Sequence, residues 1–353
     1  MSPPRIEQSF VIGSIQTKVG PVLQISSALA WVDRWGSYKA RWRIHRMNYK
    51  VDPGLYALGK PGDKAPVVVT ANYKMTFDRL REALPGRDLW ILALDTRGIN
   101  VWCAAGKGTF GTKELIDRIE SSGLAHVVSH RELILPQLAG PGVSAHLVKK
   151  SSGFKVIYGP IRAEDLPAFL DASYQATPEM RLKTFTTWER AVLIPVELVG
   201  AFKIALLVLP ILFFSDSLWQ TGAFGSTGLS HGLYSVAAVL TAILAGAVLT
   251  PLLLPWLPGR AFSFKGMVLG ILAALAFILF RGNGWETWAG RLETATWCFV
   301  IPAISAFLAM NFTGTSTYTS LSGVRKEMRR AVPLQIGAGI LGLGLWLGSH
   351  FIS

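Results

Sequence analysis

Cysteine is nearly absent from this chain: Cys103 and Cys298 are the only two in 353 residues. So small a supply excludes a zinc or iron-sulfur centre built from several cysteines of this chain alone. Charge is scarce too, at 16% of residues against 50% hydrophobic, which is too apolar for an ordinary soluble protein of this length. A membrane portion is therefore expected. The opening residues, Met1 to Phe10, lack the apolar segment of a secretory signal, and no internal repeat or low-complexity run interrupts the chain.

The charge that is present lies mostly at one end. The first 190 residues hold 26 Lys and Arg with 17 Asp and Glu, and the remainder hold 9 and 5. Beyond that division come five apolar stretches, Val192 to Phe214, Gly232 to Leu254, Phe264 to Phe280, Thr294 to Phe312 and Pro333 to Ile352. Each approaches the ~20 residues that cross a bilayer as a helix. Arg181, Lys183 and Arg190 precede the first, Arg260 and Lys265 join the second to the third, and Arg325, Lys326, Arg329 and Arg330 precede the fifth. These clusters share one side of an alternating path, so the positive-inside rule puts residues 1–190 in the cytoplasm, at the cell membrane. The excess positive charge then faces an anionic bilayer surface, and nucleic acid is not needed to explain it. The basic, aromatic stretch with Trp31, Trp35, Tyr38, Trp42 and Ile44 is expected as a helix and strand packing on the domain.

From residue 66 short β-rich runs alternate with helical ones: Val67 to Thr70, Phe77 to Leu84, Leu89 to Leu94, Thr112 to Ser121, His126 to Ser129, Lys155 to Tyr158 and Ala163 to Leu170. This alternation predicts a Rossmann-like α/β domain, a parallel sheet with helices on its faces. Its ligand edge would gather Thr70-Ala71-Asn72, Asp95 to Lys107, Ser129 to Arg131 and Gly159-Pro160. The expected organisation is a lead-in over 1–65 that packs on the domain, the α/β domain over 66–170, a linker over 171–190 and an all-α transmembrane domain of five helices over 191–353.

The run from Asn100 to Thr112 places Cys103 among very small residues. Asn100 suits a helix N-cap, which would put Cys103 in the first turn, where the helix dipole favours a thiolate and the thiol should ionise more easily. Ala104, Ala105, Gly106 and Gly108 strip bulk away, so a wide planar group could lie there. Three other readings compete. Gly106-Lys107-Gly108-Thr109 is reminiscent of a phosphate loop but fails that motif at Val101 and Gly108. His126 or His130 could serve as base to a nucleophilic cysteine. An inert buried cysteine is the plainest alternative.

Read as letters, Asn100 to Gly106 is NVWCAAG. It resembles, nearly word for word, the signature of the HgcA family of mercury-methylation corrinoid proteins, and a corrinoid domain joined to five C-terminal spans is that family's layout. The domain is also similar to the corrinoid domain of the corrinoid iron-sulfur protein large subunit of the acetyl-CoA pathway, which has no cysteine at the Cys103 position and carries an iron-sulfur motif that this chain lacks. The resemblance implies a corrinoid-dependent methyltransferase with a cobalamin-type cofactor and no iron-sulfur cluster of its own. Cys103 inherits the role of lower axial cobalt ligand, and its electron donation would favour release of the methyl group, as carbanion or radical, to mercuric ion. A ferredoxin-like partner, HgcB, and a folate-pathway methyl donor protein are implied as well.

Asn100, Val101, Trp102, Ala104, Ala105, Gly106 and Lys107 are expected to line the lower face of the cofactor, with Thr70 and Asn72 hydrogen-bonding corrin amides or serving structure. Lys107 could stabilise the thiolate or sit in solvent. In the spans, Glu197 and Lys203 are costly ionisable residues: Glu197, near the cytoplasmic end, is expected to reach the interface, the deeper Lys203 has passage of an ion or mercury as a candidate role, and Cys298 is packing or a mercury relay. The hydroxyl-rich loop 311–323 is a docking element or a plain connector. Two other functions remain to be separated from mercury methylation: a membrane-anchored methyl carrier of one-carbon metabolism, and a transporter or sensor with a ligand-binding cytoplasmic domain.

Overall fold

Val67–Ala71 and Leu89–Leu94 are buried along their whole lengths, as expected of strands covered on both faces. In the structure, a computed structural model describing residues 4–5, 7–219, 226–281, 286–314 and 321–352, they are the centre of a seven-stranded sheet. The strands are β1 (Val11–Thr17), β2 (Gly20–Ile25), β3 (Gly54–Leu58), β4 (Val67–Ala71), β5 (Leu89–Leu94), β6 (Glu132–Leu135) and β7 (Lys155–Tyr158), in the order β1-β2-β3-β5-β4-β6-β7. β5, β4, β6 and β7 run parallel, as the alternation predicts. β3 runs antiparallel to β5, so the sheet is mixed.

Residues 1–65, expected only to pack on the domain, contribute three of these strands together with helix α1 (Trp31–Arg41). Their apolar runs are short and broken by Pro and Gly, and their pairing partners are distant in sequence, so local pattern does not announce them. The strand expected at His126 to Ser129 is also displaced. Leu124–Val127 forms one helical turn, entered through Gly123 at φ +61°, and the strand is Glu132–Leu135.

Alternate residues of the central strands feed two cores. Val67, Val69, Trp90, Leu92, Leu133 and Leu135 pack with α3 (Val101–Lys107), α4 (Thr112–Ser121), α5 (Leu124–Val127) and α6 (Ala145–Ser152). Val68, Ile91, Ala93 and Ile134 pack on the other face with α2 (Lys74–Glu82) and α7 (Leu166–Asp171). The α/β layering is thus set by the two-residue period of the strands.

The chain divides into two compact units, 1–184 and 185–353. The second begins with the short helix α8 (Thr187–Ala191) and continues in α9 (Ile194–Trp219), α10 (Ser226–Ile243), α11 (Thr250–Leu253), α12 (Phe262–Arg281), α13 (Trp288–Asn311) and α14 (Leu321–Phe351). Five helical segments are long and apolar enough to cross a membrane, Thr187–Ser217, Leu229–Leu253, Phe262–Phe280, Trp288–Gly314 and Ser322–Phe351. The fifth starts well before Pro333, because α14 runs straight through that proline. Small residues let these helices approach: a Cβ on Gly246 would lie 2.6 Å from the Ser305 carbonyl oxygen, and one on Gly266 2.4 Å from Ala309 Cβ.

Candidate functional site at the cysteine helix

β4 and β5 are parallel and in register from Val67↔Trp90 to Ala71↔Leu94, so their C-terminal ends open on the same edge. Asn72 organises that edge. Its backbone N–H donates to the Leu94 carbonyl (2.9 Å), its Oδ1 accepts from the N–H groups of Thr96 (3.0 Å) and Gly98 (3.1 Å), and its Nδ2 donates to Asp95 Oδ1 (3.1 Å). The amide thereby ties the strand end to the loop at Asp95, Thr96 and Gly98. Thr70 is likewise buried, paired with Ala93 inside the sheet. Gly98 turns at φ +71° with the Met47 carbonyl 3.0 Å from where a Cβ would stand, so the turn needs glycine.

The loop delivers Asn100, whose Oδ1 accepts the Cys103 N–H at 3.0 Å and caps α3, as its sequence position predicts. Gly108, at φ +79°, ends the helix after two turns. The helical period then sorts the motif. Val101, Ala104 and Ala105 are buried in the core and hold the helix from beneath. Trp102 and Cys103 are half-buried, Gly106 and Lys107 are exposed, and these four make up the outward face. On the inner side Gly142 is essential: a Cβ there would meet the Phe110 carbonyl at 2.2 Å and Ala105 Cα at 2.9 Å.

The expected easing of thiol ionisation does not hold. Burial pushes the Cys103 thiol above its ordinary pKa, outweighing the opposing pull of Lys107, Arg46 and the Asn100 side chain. Arg46 and Gly142 escaped sequence reasoning, which takes in Thr96 only as part of the Asp95 to Lys107 run, with no role of its own. Arg46 reaches the thiol's surroundings from a segment more than fifty residues upstream, whereas Thr96, wholly buried with Oγ1 2.9 Å from Asn72 Oδ1 and 2.7 Å from the Ile99 carbonyl, sits in a loop without a motif. Gly142 alone left a signal, the Gly140-Pro141-Gly142 turn.

Gly159-Pro160 joins the edge as expected, through Gly159 N–H to the Leu135 carbonyl at 2.8 Å. Ser129 to Arg131 does not. Because β6 begins at Glu132, these residues precede it and lie at the opposite, N-terminal edge, where Ser129 N–H donates to the Asp63 carbonyl (2.9 Å) and His130 Nε2 lies 2.9 Å from the Ala65 carbonyl. His130 is thus no base for Cys103. Among the described residues no group of three or more His, Cys, Asp or Glu side chains is placed to hold a metal ion. A metal at Cys103 would have to bring its other ligands with it.

In the second unit Lys203 is exposed on α9 and Cys298 is exposed on α13, so neither points into the helical interior. Glu197 is buried. Of the 311–323 loop, residues 315–320 lie outside the described residues, while Asn311 ends α13 and Thr313 donates to the Met310 carbonyl at 2.6 Å.

Residues 44–170 match the family described as CO dehydrogenase/acetyl-CoA synthase delta subunit. Curated relatives include the acetyl-CoA decarbonylase/synthase complex subunit gamma of Methanopyrus kandleri, 32% identical over 124 residues, which are 35% of this chain and 26% of that protein. The subunit of the same name from Archaeoglobus fulgidus is 29% identical over 131 residues, 36% of this chain and 27% of its own length. That of Methanocaldococcus jannaschii is 36% identical over 91 residues, 25% and 19%. The chain spans about a quarter of the length of these relatives, and the matched family region contains β3 to β7 and the cysteine helix.

Proposed function

We propose that this chain is a membrane-anchored, corrinoid-dependent methyltransferase that passes a methyl group to mercuric ion, with Cys103 as the residue whose thiolate would hold the cobalt. The observation that carries the reading is the NVWCAAG segment folded as a capped two-turn helix, which offers one half-buried thiol on an outward face of Trp102, Cys103, Gly106 and Lys107. That face fits a wide planar group. It has no acidic side chain, a Cβ on Gly108 would meet nothing within 4 Å, and a single protein sulfur would suit a metal held mainly by its own cofactor. The similarity to acetyl-CoA decarbonylase/synthase subunits supports a corrinoid domain of the acetyl-CoA pathway type.

A bound corrinoid would supply a cobalt able to carry a methyl group. The chain's own part is to hold that group and set the charge behind the metal. Asn100 fixes the Cys103 backbone, Lys107 and Arg46 favour the thiolate, and Val101, Ala104 and Ala105 keep the helix seated. Asn72 and Thr96 act as positioning residues through the loop that carries Asn100. Mercuric ion, soft and thiophilic, is the methyl acceptor in this reading. The remaining assignments belong with it: a ferredoxin-like HgcB as electron donor, a folate-pathway protein as methyl source, and the N-terminal unit on the cytoplasmic side of the cell membrane. A methyl carrier of one-carbon metabolism is the second reading, favoured by the names of the matched relatives.

Two measurements decide. With added cobalamin the purified protein should show a sulfur-ligated absorption spectrum that is lost in Cys103→His; identical spectra would count against cysteine ligation. Methylmercury formation should vanish in Cys103→Ala. Activity unchanged in that variant sinks the mercury reading.

A further inference from the structure

Helix α1 is mounted inside out. Its small and acidic positions Asp33, Gly36 and Ala40 are buried, while Trp31, Trp35, Tyr38 and Trp42 are each between 50% and 70% exposed. Their spacing follows the helical repeat, so the four rings form one stripe. Trp31 and Trp35 stack on the open surface with centroids 6.2 Å apart.

A helix with so large an apolar face would ordinarily turn it to the core, but ion pairs prevent that here. Asp33 lies 2.6 Å from Lys74 Nζ and 2.7 Å from Arg81 Nη2, and Asp78 bridges the same two cations at 2.7 and 2.8 Å. Arg81, wholly buried, also donates to the carbonyls of Ser26 and Ala28, each at 2.7 Å. Gly36 admits the Tyr49 ring, which a Cβ would meet at 2.6 Å, and the Tyr49 hydroxyl donates to the Asp33 carbonyl. Rolling the rings inward would pull Asp33 from its partners and leave Lys74 and Arg81 to share the single carboxylate of Asp78, so the stripe is held outward.

Cations border it. Arg34, Lys39 and Arg43 are exposed, Ile44 and Met47 extend the apolar surface, and the one acidic residue between Trp31 and Lys50 is the buried Asp33. Tryptophan and tyrosine flanked by cations, without exposed acid, is the composition of a helix lying in the interface of an anionic bilayer. The same chain carries five candidate spans, which keep such a surface within reach. The family match starts at residue 44, beyond α1.

We propose that α1 is an interfacial anchor that seats the N-terminal unit on an anionic lipid surface, its aromatic stripe among the headgroups and Arg34, Lys39 and Arg43 against lipid phosphates. The test is amide hydrogen exchange of residues 31–44 in full-length protein reconstituted into nanodiscs. Exchange should be about tenfold slower in phosphatidylglycerol-rich discs than in pure phosphatidylcholine, an effect that roughly one or two surface cations can supply. The slowing should vanish in Arg34→Glu/Lys39→Glu/Arg43→Glu and weaken in Trp31→Ser/Trp35→Ser, with α2 unchanged as proof that the ion network persists. Should the charge-reversed protein disturb α2, the tryptophan pair decides. Equal exchange in both lipids overturns the proposal, and so does protection that follows added cobalamin instead of lipid charge.

Discussion

At the residue scale the proposed chemistry rests on one thiol whose surroundings pull in two directions. Burial raises the Cys103 pKa, while Lys107 and Arg46 lower it, and burial wins. Below its folded pKa the thiol must therefore lose a proton to ligate a metal, and ligation then strengthens with pH. Cobalamin affinity of the wild-type protein should rise about tenfold per pH unit between roughly pH 6 and 8, whereas Cys103→His should level off above roughly pH 6.5. Spectral titration across that range checks both. A flat wild-type profile would separate the thiol from binding. Asn72→Ala removes the acceptor of the Thr96 and Gly98 N–H groups; leaving buried donors unpaired costs roughly 1–3 kcal/mol each. Alkylation of Cys103 should accelerate in that variant, with faster hydrogen exchange over residues 95–107.

At the element scale, α1 and α2 are joined by the Asp33, Lys74, Asp78 and Arg81 network. Asp33→Ala should lower stability by roughly 3–5 kcal/mol, the usual consequence of leaving buried charge uncompensated, as read by denaturant unfolding of the first unit's tryptophans. Burial by itself would raise the Asp33 carboxyl, but Lys74 and Arg81 outweigh it and hold the pKa below the ordinary range. The stability from that depression is fully present above the unfolded carboxyl value and fades only as pH falls through the lowered folded one. What could be read in advance follows the same physics. β4, β5 and β7 are compact apolar runs between turn signals, and Asn100 is a cap defined by its own side chain, so local sequence carries them. β1 to β3, the displacement of β6 to Glu132, and the roles of Thr96, Gly142 and Arg46 arise from pairings across tens of residues, which no window reveals. The aromatic run at Trp31, expected as a helix and strand packing on the domain, is a helix followed by turns with no strand at Ile44, and its rings are exposed because Asp33, the residue that turns it outward, finds its partners on α2.

At the scale of the whole molecule, five candidate spans follow a globular unit that has its own core. If the basic clusters set orientation, the turn at Arg260 and the turn at Glu286 lie on opposite sides of the membrane. In a Cys103→Ala/Cys298→Ser background, a membrane-impermeant maleimide applied to intact cells should label Glu286→Cys and spare Arg260→Cys; the reverse pattern would invert the topology. The fastening of the cysteine helix adds a constraint in time. Its last tight fit is Gly142, and the first candidate span does not begin until Thr187. During synthesis, with the N-terminal domain folding first, every residue that seats Cys103 is made before the first membrane-crossing residue. The cysteine helix can therefore be seated on the ribosome, ahead of insertion, and loading of the proposed cofactor need not wait for the bilayer.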